Sequence, residues 1–80
     1  MNRKYQMTVR TESDLRSLNQ IVAVLACRNM IIDRLTLARA PGGECMYTIG
    51  MEAEEQCIDA LVGQIKKKIG VLKVSTRVDK

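Results

Sequence analysis

IIDRLTLARAPGGECMYTIGM, residues Ile31–Met51, is the stretch on which the fold turns. Residues 31–39 are rich in Ile and Leu and read as a strand. Ile32 falls on one parity and Leu35 and Leu37 on the other, which predicts either a β-bulge or a strand covered on both faces. Ala40-Pro41-Gly42-Gly43 is a turn signal. Past it, Cys45, Tyr47, Ile49 and Met51 alternate with Glu44, Met46, Thr48 and Gly50, the period of a half-buried strand. Two strands around such a turn predict an antiparallel hairpin.

Outward from the hairpin, both flanks change to helical spacing and then back to a period of two. Upstream, Thr11-Glu12-Ser13-Asp14 matches a capping box, in which a hydroxyl and an acid three residues later satisfy N–H groups at a helix start. Leu15, Leu18, Ile21, Val22 and Leu25 then form an apolar stripe on a helix expected to end near Asn29. Before it, Tyr5, Met7 and Val9 alternate with Lys4, Gln6, Thr8 and Arg10 in a first strand over residues 4–10. Downstream, Ile58, Leu61, Val62, Ile65 and Ile69 mark a second helix closed by Gly70. Its opening acids Glu52, Glu54 and Glu55 and its closing Lys66-Lys67-Lys68 suit the two ends of a helix dipole. Leu72, Val74, Thr76 and Val78 alternate with Lys73, Ser75 and Arg77 in a last strand. The order is βαββαβ: an α+β, ferredoxin-like domain over residues 1–80, with a four-stranded antiparallel sheet and two helices on one face.

Composition narrows what such a domain can do. Its 80 residues, 46% hydrophobic and 28% charged, suit one soluble globular domain rather than a disordered tail. No apolar run approaches the roughly 20 residues that span a bilayer, and residues 1–6 do not lead into a signal peptide, so a cytoplasmic chain without membrane contact is expected. Histidine is absent, which removes the commonest general base, and no catalytic residue is expected. Cys27, Cys45 and Cys57 are scattered without a CxxC, so free thiols are expected and neither a metal site nor a disulfide. The net charge of +4 is spread along the chain apart from the three consecutive lysines. Nucleic-acid binding is not expected, because Phe and Trp are absent and Tyr5 and Tyr47 share the packed parity, where bases cannot stack on them. Gly42-Gly43 lacks the rest of a phosphate-binding loop.

Fold alone does not give function, but two stretches resemble one family. Cys27-Arg28-Asn29-Met30-Ile31-Ile32-Asp33-Arg34-Leu35-Thr36-Leu37 is similar to the helix end and second strand of ACT domains in acetolactate synthase small subunits, typically Arg-Gly-Tyr-Asn-Ile-Glu-Ser-Leu-Thr-Val. Gln64-Ile65-Lys66-Lys67-Lys68-Ile69-Gly70-Val71-Leu72-Lys73-Val74 resembles the family's Gln-Leu-Asn-Lys-Leu-Val-Asp-Val-Leu-Lys-Val with the same spacing. The resemblance, to the short isozyme II type, implies an ACT-type domain that is a non-catalytic regulatory subunit of branched-chain (isoleucine and valine) biosynthesis. It implies a large catalytic partner that carries thiamine diphosphate, FAD and magnesium, with no cofactor in this chain, and a homodimer through strand-two edges. The alternative is a free-standing ACT-type sensor of a small ligand such as an amino acid.

The effector-pocket equivalents implied by the family are Ser13, Asp14, Leu15, Arg16, Met30 and Ile31. Valine-sensitive members resemble Asn-Glu-Pro-Gly-Val-Leu where this chain has Ser13-Asp14-Leu15-Arg16-Ser17-Leu18. Arg16 stands at the glycine that would let a carboxylate approach the helix N-terminus, and Ile31 at a second asparagine. Leu15 and Ile31 therefore read as core and Arg16 as a solvated side chain, in a domain insensitive to valine.

Overall fold

The computed structural model describes residues 3–12, 16–26, 30–68 and 70–78, with the side chains of residues 16, 17 and 26 outside the description. Its elements are β1 (Arg3–Thr11), α1 (Arg16–Ala26), β2 (Ile31–Arg39), a 3-10 turn (Pro41–Gly43), β3 (Cys45–Ala53), α2 (Glu55–Lys66) and β4 (Val71–Val78). The four strands form one antiparallel sheet in the order β2-β3-β1-β4, as the βαββαβ sequence pattern requires.

The hairpin at the centre is built as its residues dictate. The Ala40 N–H donates to the Glu44 carbonyl at 2.7 Å and the Gly43 N–H to the Ala40 carbonyl at 3.2 Å. Gly42 and Gly43 take φ of +88° and +86°, a region that side chains with a Cβ avoid. The parity conflict in β2 is settled by a bulge: Ile32 pairs with Met51, Arg34 with Gly50, and Asp33 is the extra residue between them. Ile32, Leu35 and Leu37 thereby share the side of the sheet that carries Met51, Ile49 and Tyr47.

The core lies between that side and the helices. Tyr5, Met7 and Val9 from β1 and Cys45, Tyr47, Ile49, Met51 and Ala53 from β3 pack against Ile21, Val24 and Leu25 of α1 and Ile58, Leu61 and Ile65 of α2. Both tyrosines are buried in the core, on the packed parity.

Four expectations change at the element boundaries and edges. Thr11 is no helix cap: it is the fully buried last residue of β1, paired with Cys45 and Val71, and its hydroxyl donates to the Glu12 carbonyl at 3.0 Å. The other capping-box residues, 13 and 14, Leu15 of the first stripe and the expected helix end at Asn29 lie outside the described residues. Val22 is exposed while Val24, one position on the other side of the stripe, is buried. The second helix stops at Lys66, where the Lys67 N–H donates to the Gln64 carbonyl at 3.3 Å and the Lys68 N–H to the Ile65 carbonyl at 3.0 Å, so Lys67 and Lys68 lie beyond it. Glu52 belongs to β3 rather than to the helix start. Gly70, at φ +90°, instead turns the chain into β4, and its carbonyl accepts the Glu12 N–H at 2.9 Å.

Candidate interaction surfaces

The outer strand β2 carries four of the seven large hydrophobic side chains that are exposed among the described residues. All nine of its residues are exposed, including Ile31 at 55%, Ile32 at 39%, Leu35 at 42% and Leu37 at 45%. As an end strand it pairs only with β3, leaving one row of backbone N–H and C=O groups unpaired by the sheet. The helices cover β1 and β3 but not β2, so Ile32, Leu35 and Leu37 form an apolar shelf beside that open row. Chemically this edge can accept another strand and bury the shelf in doing so. Strand β4 closes the other side of the sheet, with Leu72 and Val78 exposed.

Of the effector-pocket equivalents, Ser13, Asp14 and Leu15 lie outside the described residues. Arg16 is the first residue of α1, and its side chain is not described. Met30 is half-buried and packs against the core. Ile31 contradicts its reading as core: it opens the edge strand, pairs with Glu52 on the face of the sheet turned away from the helices, and is exposed.

The uncovered face of the sheet shows what linear reading missed. Basic residues that look scattered in sequence, Lys4 and Arg10 of β1, Arg34 of β2 and Lys73 and Arg77 of β4, are gathered there by the strand pairing. The alternation of each strand was the available signal, but only the register says which cations become neighbours. Arg77 donates to the Gln6 side-chain oxygen at 2.8 Å, and the Arg10 Nε lies 3.3 Å from a Glu44 carboxylate oxygen. A depression of about 290 Å³ lies over Gly50, lined by Lys4, Gln6, Asp33, Arg34 and Thr48 among others. A smaller one of about 130 Å³ is lined by Thr8, Arg10, Met46, Lys73 and Ser75.

Cys45 is a buried free thiol and Cys57 a half-buried one, and Cys27 lies outside the described residues. Among the described residues no three His, Cys, Asp or Glu side chains gather as metal ligands, and no helix is long and apolar enough to cross a membrane.

Comparison with known proteins rests on structure, since no protein-family model and no curated protein matches the sequence. The ACT domain from GTP pyrophosphokinase of Chlorobium tepidum superposes with a TM-score of 0.84 at 18% identity, covering 96% of this chain and 100% of that one. An uncharacterized protein from Thermotoga maritima gives 0.83 at 20% identity, with 100% of both chains covered. The acetolactate synthase small subunit from Thermotoga maritima gives 0.81 at 17% identity, covering 92% of this chain but only 47% of that one. At such identities the likeness is one of fold, and that fold is the ferredoxin-like arrangement of ACT domains.

Proposed function

We propose that this chain is a non-catalytic regulatory small subunit that binds and activates the large catalytic subunit of an acetolactate synthase. The observation that carries the reading is the bare β2 edge with its shelf of Ile32, Leu35 and Leu37, a surface built to be covered by protein. The resemblance of the stretches 27–37 and 64–74 to acetolactate synthase small subunits supports the identity of the partner. In this reading two copies join through their β2 edges into one continuous sheet, and the pair docks on the catalytic subunit in the cytoplasm. Thiamine diphosphate, FAD and magnesium then belong to the partner, and this chain takes no part in the carbon–carbon bond-forming step. Its contribution is to hold the catalytic subunit in an active conformation, which requires tighter binding to that conformation than to the inactive one. The Arg16 and Ile31 positions support a domain that does so without responding to valine.

The test is to assay acetolactate formation from pyruvate with the catalytic subunit alone, this chain alone, and the mixture. The chain alone should form none, and the mixture should exceed the catalytic subunit alone. Equal rates with and without the chain, and no co-elution, would remove this reading in favour of a free-standing small-ligand sensor.

A further inference from the structure

The pairing of β1 with β4 places two like charges side by side on the uncovered face: Arg10 is directly opposite Lys73, and the next pair on that face is Thr8 opposite Ser75. Like charges directly opposite each other weaken a ladder, and cross-strand partners are where a sheet ordinarily gains stability. The neighbouring pair shows what an ordinary solution looks like, since Gln6 opposite Arg77 forms a 2.8 Å hydrogen bond. Glu44 offsets the repulsion in part, but it engages the Arg10 Nε, at 3.3 Å, and not Lys73. Around this pair the surface dips into a depression of about 130 Å³ whose walls are Arg10, Lys73, Thr8 and Ser75, with Met46 beside them.

We propose that this depression is a binding site for a phosphate group, clamped between Arg10 and Lys73 and hydrogen-bonded by the hydroxyls of Thr8 and Ser75. Two cations and two hydroxyl donors converge on one small volume, which suits a tetrahedral dianion with several acceptor oxygens better than a planar monoanionic carboxylate. The dianion supplies the charge that the Arg10–Lys73 pair lacks, so binding removes a repulsion as well as adding contacts. A second copy of this chain is a poor occupant, because it would bring the same cations to the site. A nucleic-acid strand is disfavoured by the absence of any aromatic side chain on this face for bases to stack on. The ligand class is therefore a small phosphorylated molecule, or inorganic phosphate itself. The site lies on the opposite side of the sheet from the helices and apart from the β2 edge, and it stands whether or not the partner proposed above is correct.

The test uses inorganic phosphate as the probe at constant low ionic strength, since surface charge pairs are screened by salt. Amide chemical shifts should move saturably at Thr8, Arg10, Lys73 and Ser75, and phosphate should raise the melting temperature. Acetate should do neither. Replacing Lys73→Gln should weaken binding about threefold to tenfold, the loss of one exposed charge-assisted contact. Lys67→Gln, which removes the same charge elsewhere, should leave it unchanged. Lys73→Glu should do two things at once: raise the melting temperature in phosphate-free buffer by pairing with Arg10, and abolish the response to phosphate. Glucose 6-phosphate against inorganic phosphate separates a phosphorylated metabolite from the free ion, because tighter binding of the ester points to the former and tighter binding of the ion to the latter. Equal response to acetate, retention of phosphate binding by Lys73→Glu, or equal weakening by Lys67→Gln would each overturn the proposal.

Discussion

Arg34 stands directly across from Gly50 in the β2–β3 ladder, with its Cβ 3.6 Å from the place a Cβ on residue 50 would occupy. That distance is ordinary contact, and Gly50 does not have a positive φ, so nothing steric in the described chain demands glycine there. What glycine leaves is the depression beneath Lys4 and Arg34, and what sets Arg34 beside it is the bulge at Asp33.

The register around that bulge makes a deletion predictable. Ile32 is already paired with Met51 and Arg34 with Gly50, so removing Asp33 joins two segments that are each in register. The Asp33 deletion should fold, with a melting temperature within about 5 °C of the parent, and amide exchange should show β2 protected without interruption. Removal of Thr36 should behave differently. It shifts Ile32 and Leu35 to the opposite face, and a cooperative melt as high as that of the Asp33 deletion would show that the bulge does not set the register.

Leu35 sits in the middle of the exposed shelf on β2. An aspartate there is tolerable in the isolated chain, where the position is already 42% exposed. In a dimer joined through β2 edges it would bury a carboxylate in each half without a partner. Leu35→Asp should therefore raise the dimer dissociation constant about tenfold or more while leaving the circular dichroism spectrum unchanged. Sedimentation that finds a monomer in the parent chain, or an unaltered dimer in the variant, would count against the edge-to-edge arrangement.

The fold was legible in the sequence because each element carried its own period, and the periods agreed. The parity break between Ile32 and Leu35 left open a bulge or a strand covered on both faces, and only the register with β3 decides for the bulge at Asp33. Misreadings arose where local pattern met tertiary placement. Thr11 looks like a cap by its neighbours, yet β1 continues through it because β3 and β4 both offer it a partner. Ile31 looks like core by its side chain, yet the pairing with β3 sets it opposite Glu52, on the face turned away from the helices. The cations of the open face were visible one strand at a time, and only pairing put Arg10 opposite Lys73.

Helix α1 offers a direct check on which side chains form the core. Ile21 is fully buried and Val22, its neighbour in sequence, is 43% exposed. Ile21→Ala should cost about 2–5 kcal/mol, because it removes buried methyl groups and leaves a cavity. Val22→Ala should change stability by about 0.5 kcal/mol or less, the usual effect at a surface position. Equal losses in denaturant unfolding would mean that α1 is rotated about its axis from the orientation described.

Valine should not bind, for a reason that lies in the start of α1. A carboxylate held at a helix N-terminus needs free N–H groups within about 3 Å, and a glycine at the approach leaves room for it. Here the first residue of α1 is Arg16, where the resembled family has glycine in its valine-sensitive members. Ile31, at the position of a family asparagine, is an exposed apolar residue and offers no hydrogen bond from its side chain. Ser13 stands at the other asparagine position. Calorimetry with millimolar valine should give no heat of binding with the parent chain. The triple replacement Ser13→Asn, Arg16→Gly and Ile31→Asn should create measurable affinity by restoring backbone access and both polar anchors. An arginine can also bind a carboxylate through its guanidinium, and the single variant Arg16→Ala separates the two roles. Valine binding by the parent that is lost in Arg16→Ala would make Arg16 the anchor and overturn the obstruction argument.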